Sequence, residues 1–524
     1  MSNPMFPGHR HRRPEATMRG ATREHPERVH VAVLGAGFGG LCAAIQLKRA
    51  GIEDFVILER AGEVGGTWQA NTYPGAQCDI PSILYSFSFA PNPRWSRLYP
   101  YQEEIREYLR DCVRHFGLTP HLRLRHEVEE ATWDERARRW HVTTAHGSWR
   151  ARVLIAAPGP FSSPSVPDFP GLDRFRGRVI HTAEWDHGHD FAGERVGVVG
   201  TGASAVQVIP RLQPEVAAMT VFQRTPTWIM PHPDRSMTGL PQRVFDRAPV
   251  VQRLARAGFD LVQEAMVPGL VFRPALLKGA EWLGRAHLRR QVRNPELRAA
   301  LTPGYAFGCK RPTFSNTYYP ALAAPNVDVV TGGIHEVTPH GIVTADGTTH
   351  ELDTLVLATG FRMTGHPMFG RIHGRGGRSL REVWQGEPRA HLGTVVHGFP
   401  NLFLLLGPNS VTYTSQIITI EAQVRYVLGA LRCMRDAELS DVEVREDVQR
   451  AFVARTDRGL ARSVWNTGGC RSYYLTASGR NFVFYPGFAR QFRARTRAFD
   501  PAEFHTTPAD DPTDDVTAES LRSA

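Results

Sequence analysis

Two glycine clusters hold the residues of this chain whose types and spacing are best suited to chemistry. Gly35-x-Gly37-x-x-Gly40 follows the apolar run Val29-His-Val-Ala-Val-Leu34 and opens a helical pattern over Leu41 to Ala50. In such a turn the first glycine permits the bend, the second lets backbone approach a pyrophosphate, and the third packs helix on strand. The helix start offers free N–H groups to phosphate oxygens. A second strand, Phe55-Val-Ile-Leu58, ends at Glu59, about 20 residues past the last glycine, where a carboxylate accepts hydrogen bonds from ribose hydroxyls. The other cluster, Gly200-x-Gly202-x-x-Ala205, follows Glu194-Arg-Val-Gly-Val-Val199 and precedes a helical pattern over Val206 to Leu212. Its next strand, Met219-Thr-Val-Phe-Gln223, ends in Arg224-Thr225 rather than in an acid. An acid suits a free 2′-hydroxyl, whereas an arginine accommodates a 2′-phosphate. The first half therefore suits FAD and the second NADPH.

The elements needed to position two such cofactors give an α/β chain with two Rossmann-like dinucleotide-binding domains. Residues 1–28 read as a disordered basic tail and 29–174 as the first part of an FAD-binding domain. Within that domain Gly65-Gly66-Thr67-Trp68 through Asp79 is a glycine-rich loop whose Trp68 and Tyr73 can wall a planar cofactor. An amphipathic helix is expected from Glu103 to Phe116. Strands follow near 122–125, 127–133, 140–144 and 149–156. Residues 175–186 read as a connector, since they hold a glycine, several charges, His181 and Trp185 without a sustained period. An NADPH-binding domain then spans 187–340, with a helical insertion at about 236–300. The stretch Leu352 to Phe361 is a strand and glycine turn expected to return the chain to the first domain. Leu402–Leu406 is a buried strand leading through Asn409 to a long helix, Gln416 to Cys433. Residues 341–505 are thus the second part of the FAD-binding domain and a C-terminal loop, and 506–524 a disordered acidic tail.

Composition narrows the class. The net charge of +10 is dispersed among acids, without a basic stripe interleaved with aromatics, so nucleic acid is not expected as a partner. No run approaches the roughly 18 apolar residues of a membrane span, so no membrane partner is expected. The basic first thirty residues lack the apolar core of a signal peptide. The six cysteines are scattered without a close pair. That spacing argues against a metal site, a CxxC redox centre and a disulfide framework, and favours the cytoplasm. The expected assembly is a monomer or weak homo-oligomer. Lysine is nearly absent: only Lys48, Lys278 and Lys310 occur among many arginines.

Taken together, the motifs resemble the type I Baeyer–Villiger monooxygenases, the class B flavoprotein monooxygenases. Their fingerprint FxGxxxHxxxW followed by Pro or Asp is matched by Phe175, Gly177, His181, Trp185 and Asp186. A further pattern, GGxW…YPG…CD, is matched by Gly65, Gly66, Trp68, Tyr73, Pro74, Gly75, Cys78 and Asp79. Lys310-Arg311, the turn Ala358-Thr359-Gly360-Phe361 and Trp465-Asn-Thr-Gly-Gly-Cys470 fit as well. The resemblance runs from about 29 to 503 and leans toward the shorter branch that includes the 4-hydroxyacetophenone type. It implies that NADPH reduces FAD, that O2 adds to give a C4a-peroxyflavin, and that a ketone becomes an ester or lactone. It implies Arg311 as the fixed cation beside the peroxide and Asp79 as its orienting partner. It also implies cofactor contacts at Gly66, Thr67, Trp68, Asp79, Tyr85, Ser204, Ala205, Thr359, Gly360 and Asn409, with Arg224, Thr225 and Lys310 at the 2′-phosphate end. His181 and Trp185 are expected to govern movement between the domains rather than to touch reacting atoms.

Departures fall around the pocket. Gln69-Ala70 stands where the family commonly has an aromatic pair, Gln77 where many members have Arg, and Tyr473 where Trp is frequent. Ser410 to Ser415 lacks the Gly-His of many relatives. The ketone, the migrating group and the pathway are not legible. An N- or S-oxygenase of the same architecture is the alternative, but it does not need the Asp–Arg pair. A disulfide reductase would need paired redox cysteines. A non-enzymatic flavin redox sensor is the distant third.

Overall fold

The computed structural model describes residues 26–509. Its larger sheet is organised by the strand Glu27–Leu34, whose last four residues are all buried. This strand lies between two parallel neighbours, Phe55–Glu59 and Gly147–Ala156. Strands covered on both faces are apolar without alternation, which is why Val31 to Leu34 reads as a continuous run. Leu122–Leu124 extends one side of the sheet in parallel, and Val128–Asp134 and Arg139–Thr144 extend the other in antiparallel fashion. Leu402–Leu404 also pairs with Gly147–Ala156, and Ile372–His373 closes the far edge against Val128–Asp134. The helices Phe38–Arg49, Gln102–His115 and Gln416–Asp436 cover one face, sharing a core with Val31, Ile57, Ile155 and Phe403.

The second sheet is parallel throughout. Its order is Val327–Val330, Ala218–Phe222, Arg195–Val199, Thr354–Leu357, Arg178–His181. Two expectations change here. Thr354–Leu357 does not return the chain to the first domain; it lies buried between two strands of the second sheet. Asp353 pins it there, accepting from the Arg195 backbone at 2.8 Å and from its guanidinium at 2.8 Å. The chain rejoins the larger sheet only at Ile372–His373. Nor is 175–186 only a connector, because Arg178–His181 is an edge strand of the second sheet. Its short length and mixed composition hid the strand, in which only Ile180 and His181 are buried.

The insertion is helical as expected, with Leu240–Arg247, Pro249–Glu264, Lys278–Gln291 and Pro295–Ala300. Its inner side shares a cluster with Trp228, Trp465, Tyr474 and Phe484. At the ends, Glu27 and Arg28 belong to the first strand, and Phe504–Pro508 pairs with Leu439–Val444. The start of the acidic tail expected at 506 is therefore ordered by backbone pairing. The remainder of both expected tails, 1–25 and 510–524, lies outside the described residues.

Candidate active site

The first glycine turn opens a cavity of about 370 Å³. Gly35, Gly37, Glu59, Gly66, Thr67, Trp68 and Tyr85 line it, together with Pro158–Ser162 and His366–Met368. Gly40 lies behind the wall, where a Cβ would sit 1.8 Å from the Gly35 carbonyl oxygen, so only glycine lets helix and strand meet. Gly66 is close-packed too: its Cβ would come 2.9 Å from the Gly37 Cα. Trp68 Nε1 donates to the Tyr85 hydroxyl at 3.1 Å, and the two rings meet edge to face. Glu59 is buried, and its oxygens accept from Ala36 N at 2.7 Å and Ala61 N at 2.8 Å. Those bonds aim the carboxylate while leaving lone pairs for ribose hydroxyls.

Among the described residues no side chain caps the helix that follows this turn, nor the helix Ala203–Leu212 behind the second turn. Both helix starts therefore keep N–H groups free for phosphate oxygens. Glycine backbone on one wall, free N–H groups at its end and a buried, aimed carboxylate fit FAD at the first turn.

The second turn is built to the same plan. A Cβ on Gly200 would lie 2.4 Å from the Ala358 carbonyl oxygen, and Thr201 Oγ1 donates to the Thr225 carbonyl at 2.7 Å. Ser204 is half-buried and Ala205 fully buried on the helix behind Gly202. Arg224 is exposed beyond the strand end. The ordinary pKa of Lys310 is lowered by burial and by the nearby Arg224 charge. Two cations held close enough to oppose each other are relieved by an anion such as a 2′-phosphate, so the residues present fit NADPH.

Arg311 and Asp79 come together across 232 residues, Nε donating to Oδ2 at 2.5 Å. Burial opposes the Arg311 charge, but the Asp79 carboxylate outweighs it and holds the guanidinium ionised, its pKa above the usual value. Tyr413 and Tyr474 lie within electrostatic range of Arg311, and burial raises the pKa of each phenol, keeping it protonated. Tyr473 bonds the Tyr474 hydroxyl at 3.2 Å. Neither Tyr413 nor Tyr474 was singled out from the sequence. The only signal was that both sit in or beside the departures at 410–415 and 473.

Asp79 also lines a narrow crevice against the second domain, with Gln77, Gln207, His232 and Phe314. Here Tyr73 donates to Gln207 Oε1 at 2.9 Å, and Gln207 donates to the Gln77 carbonyl at 2.8 Å. Gln77, at the position where many members of the family have Arg, donates to Asp234 at 3.0 Å.

Of the expected cofactor contacts, Thr359, Gly360 and Asn409 line neither the cavity nor the crevice beside Asp79. Thr359 Oγ1 donates to the Ser165 carbonyl and the Gly360 carbonyl accepts from Ser165 N, so this turn braces the loop behind the cavity wall. The Asn409 amide donates to the Asn481 and Phe484 carbonyls and anchors the C-terminal segment.

The fingerprint residues brace the second sheet. A Cβ on Gly177 would sit 2.1 Å from the Asp353 carbonyl oxygen and 2.7 Å from the Phe175 ring. His181 Nδ1 accepts from Ala183 N at 3.1 Å, its ring meets Phe361, and burial lowers its pKa so that it is neutral. Trp185 stacks on Phe191 in the same core as Tyr73. Asp186 pairs with Arg178 and caps Gly188 N.

One expectation is overturned. Cys309 and Cys470 form a disulfide across 161 residues, which their scatter in sequence had argued against. Sequence separation is not distance, and the fold brings the segment before Lys310-Arg311 onto the loop before Tyr473, where Ala306 N also donates to the Gly468 carbonyl. The bond lies in the cluster under the helical insertion rather than in the lining of the first cavity, and a reducing compartment would tend to open it.

Residues 32–244 match the pyridine nucleotide-disulphide oxidoreductase family. A Baeyer–Villiger monooxygenase of Streptomyces coelicolor is 47% identical over 480 residues, covering 91% of this chain and 92% of the relative. One from Pseudomonas aeruginosa is 44% identical, covering 96% of each chain. The crystal structure of cyclohexanone monooxygenase from Rhodococcus sp. Phi1 bound to NADP+ superposes with a TM-score of 0.83 at 30% identity, over 93% of this chain and all of that one. With likeness of that extent spanning both sheets and the insertion, the chain belongs to the Baeyer–Villiger monooxygenases.

Proposed function

We propose that this protein uses FAD and NADPH to insert one oxygen atom of O2 beside a ketone carbonyl, giving an ester or lactone. The observation that carries the reading is the Arg311–Asp79 pair, a permanent cation fixed by a carboxylate at the junction of the two domains. FAD, reduced by NADPH, supplies the oxygen-transfer chemistry when bound. The protein supplies position and charge. Glu59 would hold ribose hydroxyls, the helix start at Phe38 would take the pyrophosphate, and Trp68 and Tyr85 would wall the planar ring. Arg224 and Lys310 would hold the 2′-phosphate. Arg311 presents a proton-rich guanidinium that stays charged at any working pH and stabilises negative charge at the reacting oxygen. Asp79 orients Arg311 through a charge-assisted bond.

The 4-hydroxyacetophenone-type branch is part of the proposal; the tyrosines at 413, 473 and 474 near Arg311 support an aryl ketone as one substrate class. A cytoplasmic setting is also part of it, and there Cys309 and Cys470 would be held mostly as thiols; no described helix is long and apolar enough to cross a membrane. The test is a panel of linear, cyclic and aryl ketones with product mass. At least one ketone should gain a single oxygen atom. Arg311→Ala should lose that product by about a hundredfold or more while NADPH still bleaches the flavin. Full retained oxygenation in that variant would contradict the assignment.

A further inference from the structure

The helical insertion has an outer face that the oxygenation reading does not use. On Pro249–Glu264, Val250, Leu254 and Leu261 recur on one side with only Ala257 and Gly258 between them. Leu254 is 68% and Leu261 70% exposed, and Trp282, on the helix Lys278–Gln291, is 69% exposed. Phe272 and Leu276, between the two helices, are exposed as well. The opposite side of Pro249–Glu264 is fastened down. Gln252 donates to the Asn92 carbonyl at 2.6 Å, and Arg256 donates to the Ile83 and Ser86 carbonyls at 2.8 and 2.9 Å. The apolar stripe thus cannot roll inward without breaking these bonds.

Charge is sorted across the same segment. From 249 to 293 the acids are Asp260, Glu264 and Glu281, and all three are turned inward. Asp260 pairs with Arg493, Glu264 accepts from Arg490 N, and Glu281 accepts from Phe307 N. The exposed cations include Arg253, Arg273, Lys278, Arg289 and Arg290. Single exposed apolar residues are ordinary on a soluble surface, but a stripe of them on a segment whose exposed charges from 249 to 293 are of one sign suits an interaction surface.

We propose that this face docks on an anionic lipid surface. Leu254, Leu261 and Trp282 would enter the boundary between headgroups and acyl chains while the arginines and Lys278 meet lipid phosphates. A second copy of the same face would set cations against cations, so charge complementarity favours the lipid. The expectation of no membrane partner rested on the lack of a spanning segment, which leaves surface docking open. The proposal is independent of the ketone reading.

The test is flotation of the FAD- and NADP-loaded protein with vesicles of phosphatidylcholine, with and without phosphatidylglycerol. Binding is expected only with phosphatidylglycerol and should weaken with salt. The pair Leu254→Glu with Leu261→Glu, and separately Arg253→Glu with Arg273→Glu, should each weaken binding by about tenfold or more with melting temperature and NADPH oxidation unchanged. Brominated lipids should quench the wild type more than Trp282→Phe. Absence of binding to either vesicle, or binding by either double variant as tight as that of the wild type, would overturn the proposal. So would a dimer, seen by sedimentation, that only Leu254→Glu with Leu261→Glu dissociates.

Discussion

At the scale of single residues, proton and charge placement around the cofactor cavities follows from burial and near neighbours. His366 illustrates it. Its Nδ1 accepts from Met368 N at 3.1 Å and its Nε2 lies 2.7 Å from Ser162 Oγ, so the neutral ring is satisfied on both nitrogens. Burial, then Arg60 and Arg371, lower its pKa from 6.5 to about 4. The unfolded chain therefore takes up this proton first as pH falls. Stability is unaffected by His366 above the unfolded value and is lost progressively between about pH 6.5 and 4, by up to about 3 kcal/mol. Denaturant midpoints should fall across that window, and less so in His366→Asn, whose side-chain oxygen can still accept from Met368 N. Parallel pH curves for the two proteins would show that His366 contributes nothing. Arg311 shows the opposite balance: a half-buried cation kept charged by its carboxylate partner.

At the scale of elements, close backbone approach decides which substitutions the fold tolerates. Gly177 has no room for a Cβ between Asp353 and Phe175. Gly177→Ala must push the edge strand Arg178–His181 away from Thr354–Leu357, at about 1–3 kcal/mol. Chemical denaturation should show that loss, and an unchanged midpoint would mean that the edge yields freely. The Cys309–Cys470 bond joins the segment ahead of Arg311 to the loop carrying Tyr473 and Tyr474. Cys309→Ser should lower stability by about 2–4 kcal/mol, because the reduced chain regains loop entropy on unfolding. A denaturation curve matching that of the untreated wild type would show that the bond is not formed in solution.

At the scale of the molecule, the two domains meet through specific contacts. Tyr73 and Gln77 from the first domain grip Gln207 of the second, while His181 and Trp185 sit at the edge and in the core of the second sheet. We expect His181→Ala to slow turnover about tenfold with both cofactors still bound, because loosening the ring that meets Phe361 disturbs domain closure rather than the reacting atoms. Stopped-flow absorbance with separate flavin and NADP+ titrations reads these steps; normal coupled turnover would refute the role.

What the sequence by itself determined is local. The glycine turns, the strand-terminal Glu59 and Arg224, the long helix before Asp436 and the helical insertion were legible because their physics lies within a few residues: a left-handed or tight backbone, a short apolar run, a helical period. The resemblance added the pairing of Arg311 with Asp79, which no local pattern could reveal. Only the tertiary structure decided the rest. Thr354–Leu357 joined the second sheet because partner choice among apolar strands is set by packing, and Arg178–His181 became a strand because an edge needs only one neighbour. Thr359, Gly360 and Asn409 turned their hydrogen bonds to bracing, which a motif does not disclose. Tyr413, Tyr474 and the cysteines at 309 and 470 met across long stretches of chain, where proximity depends on the path of the whole fold. The outer face of the insertion was likewise invisible, since an amphipathic period names an apolar side but not whether the protein or something outside it covers that side.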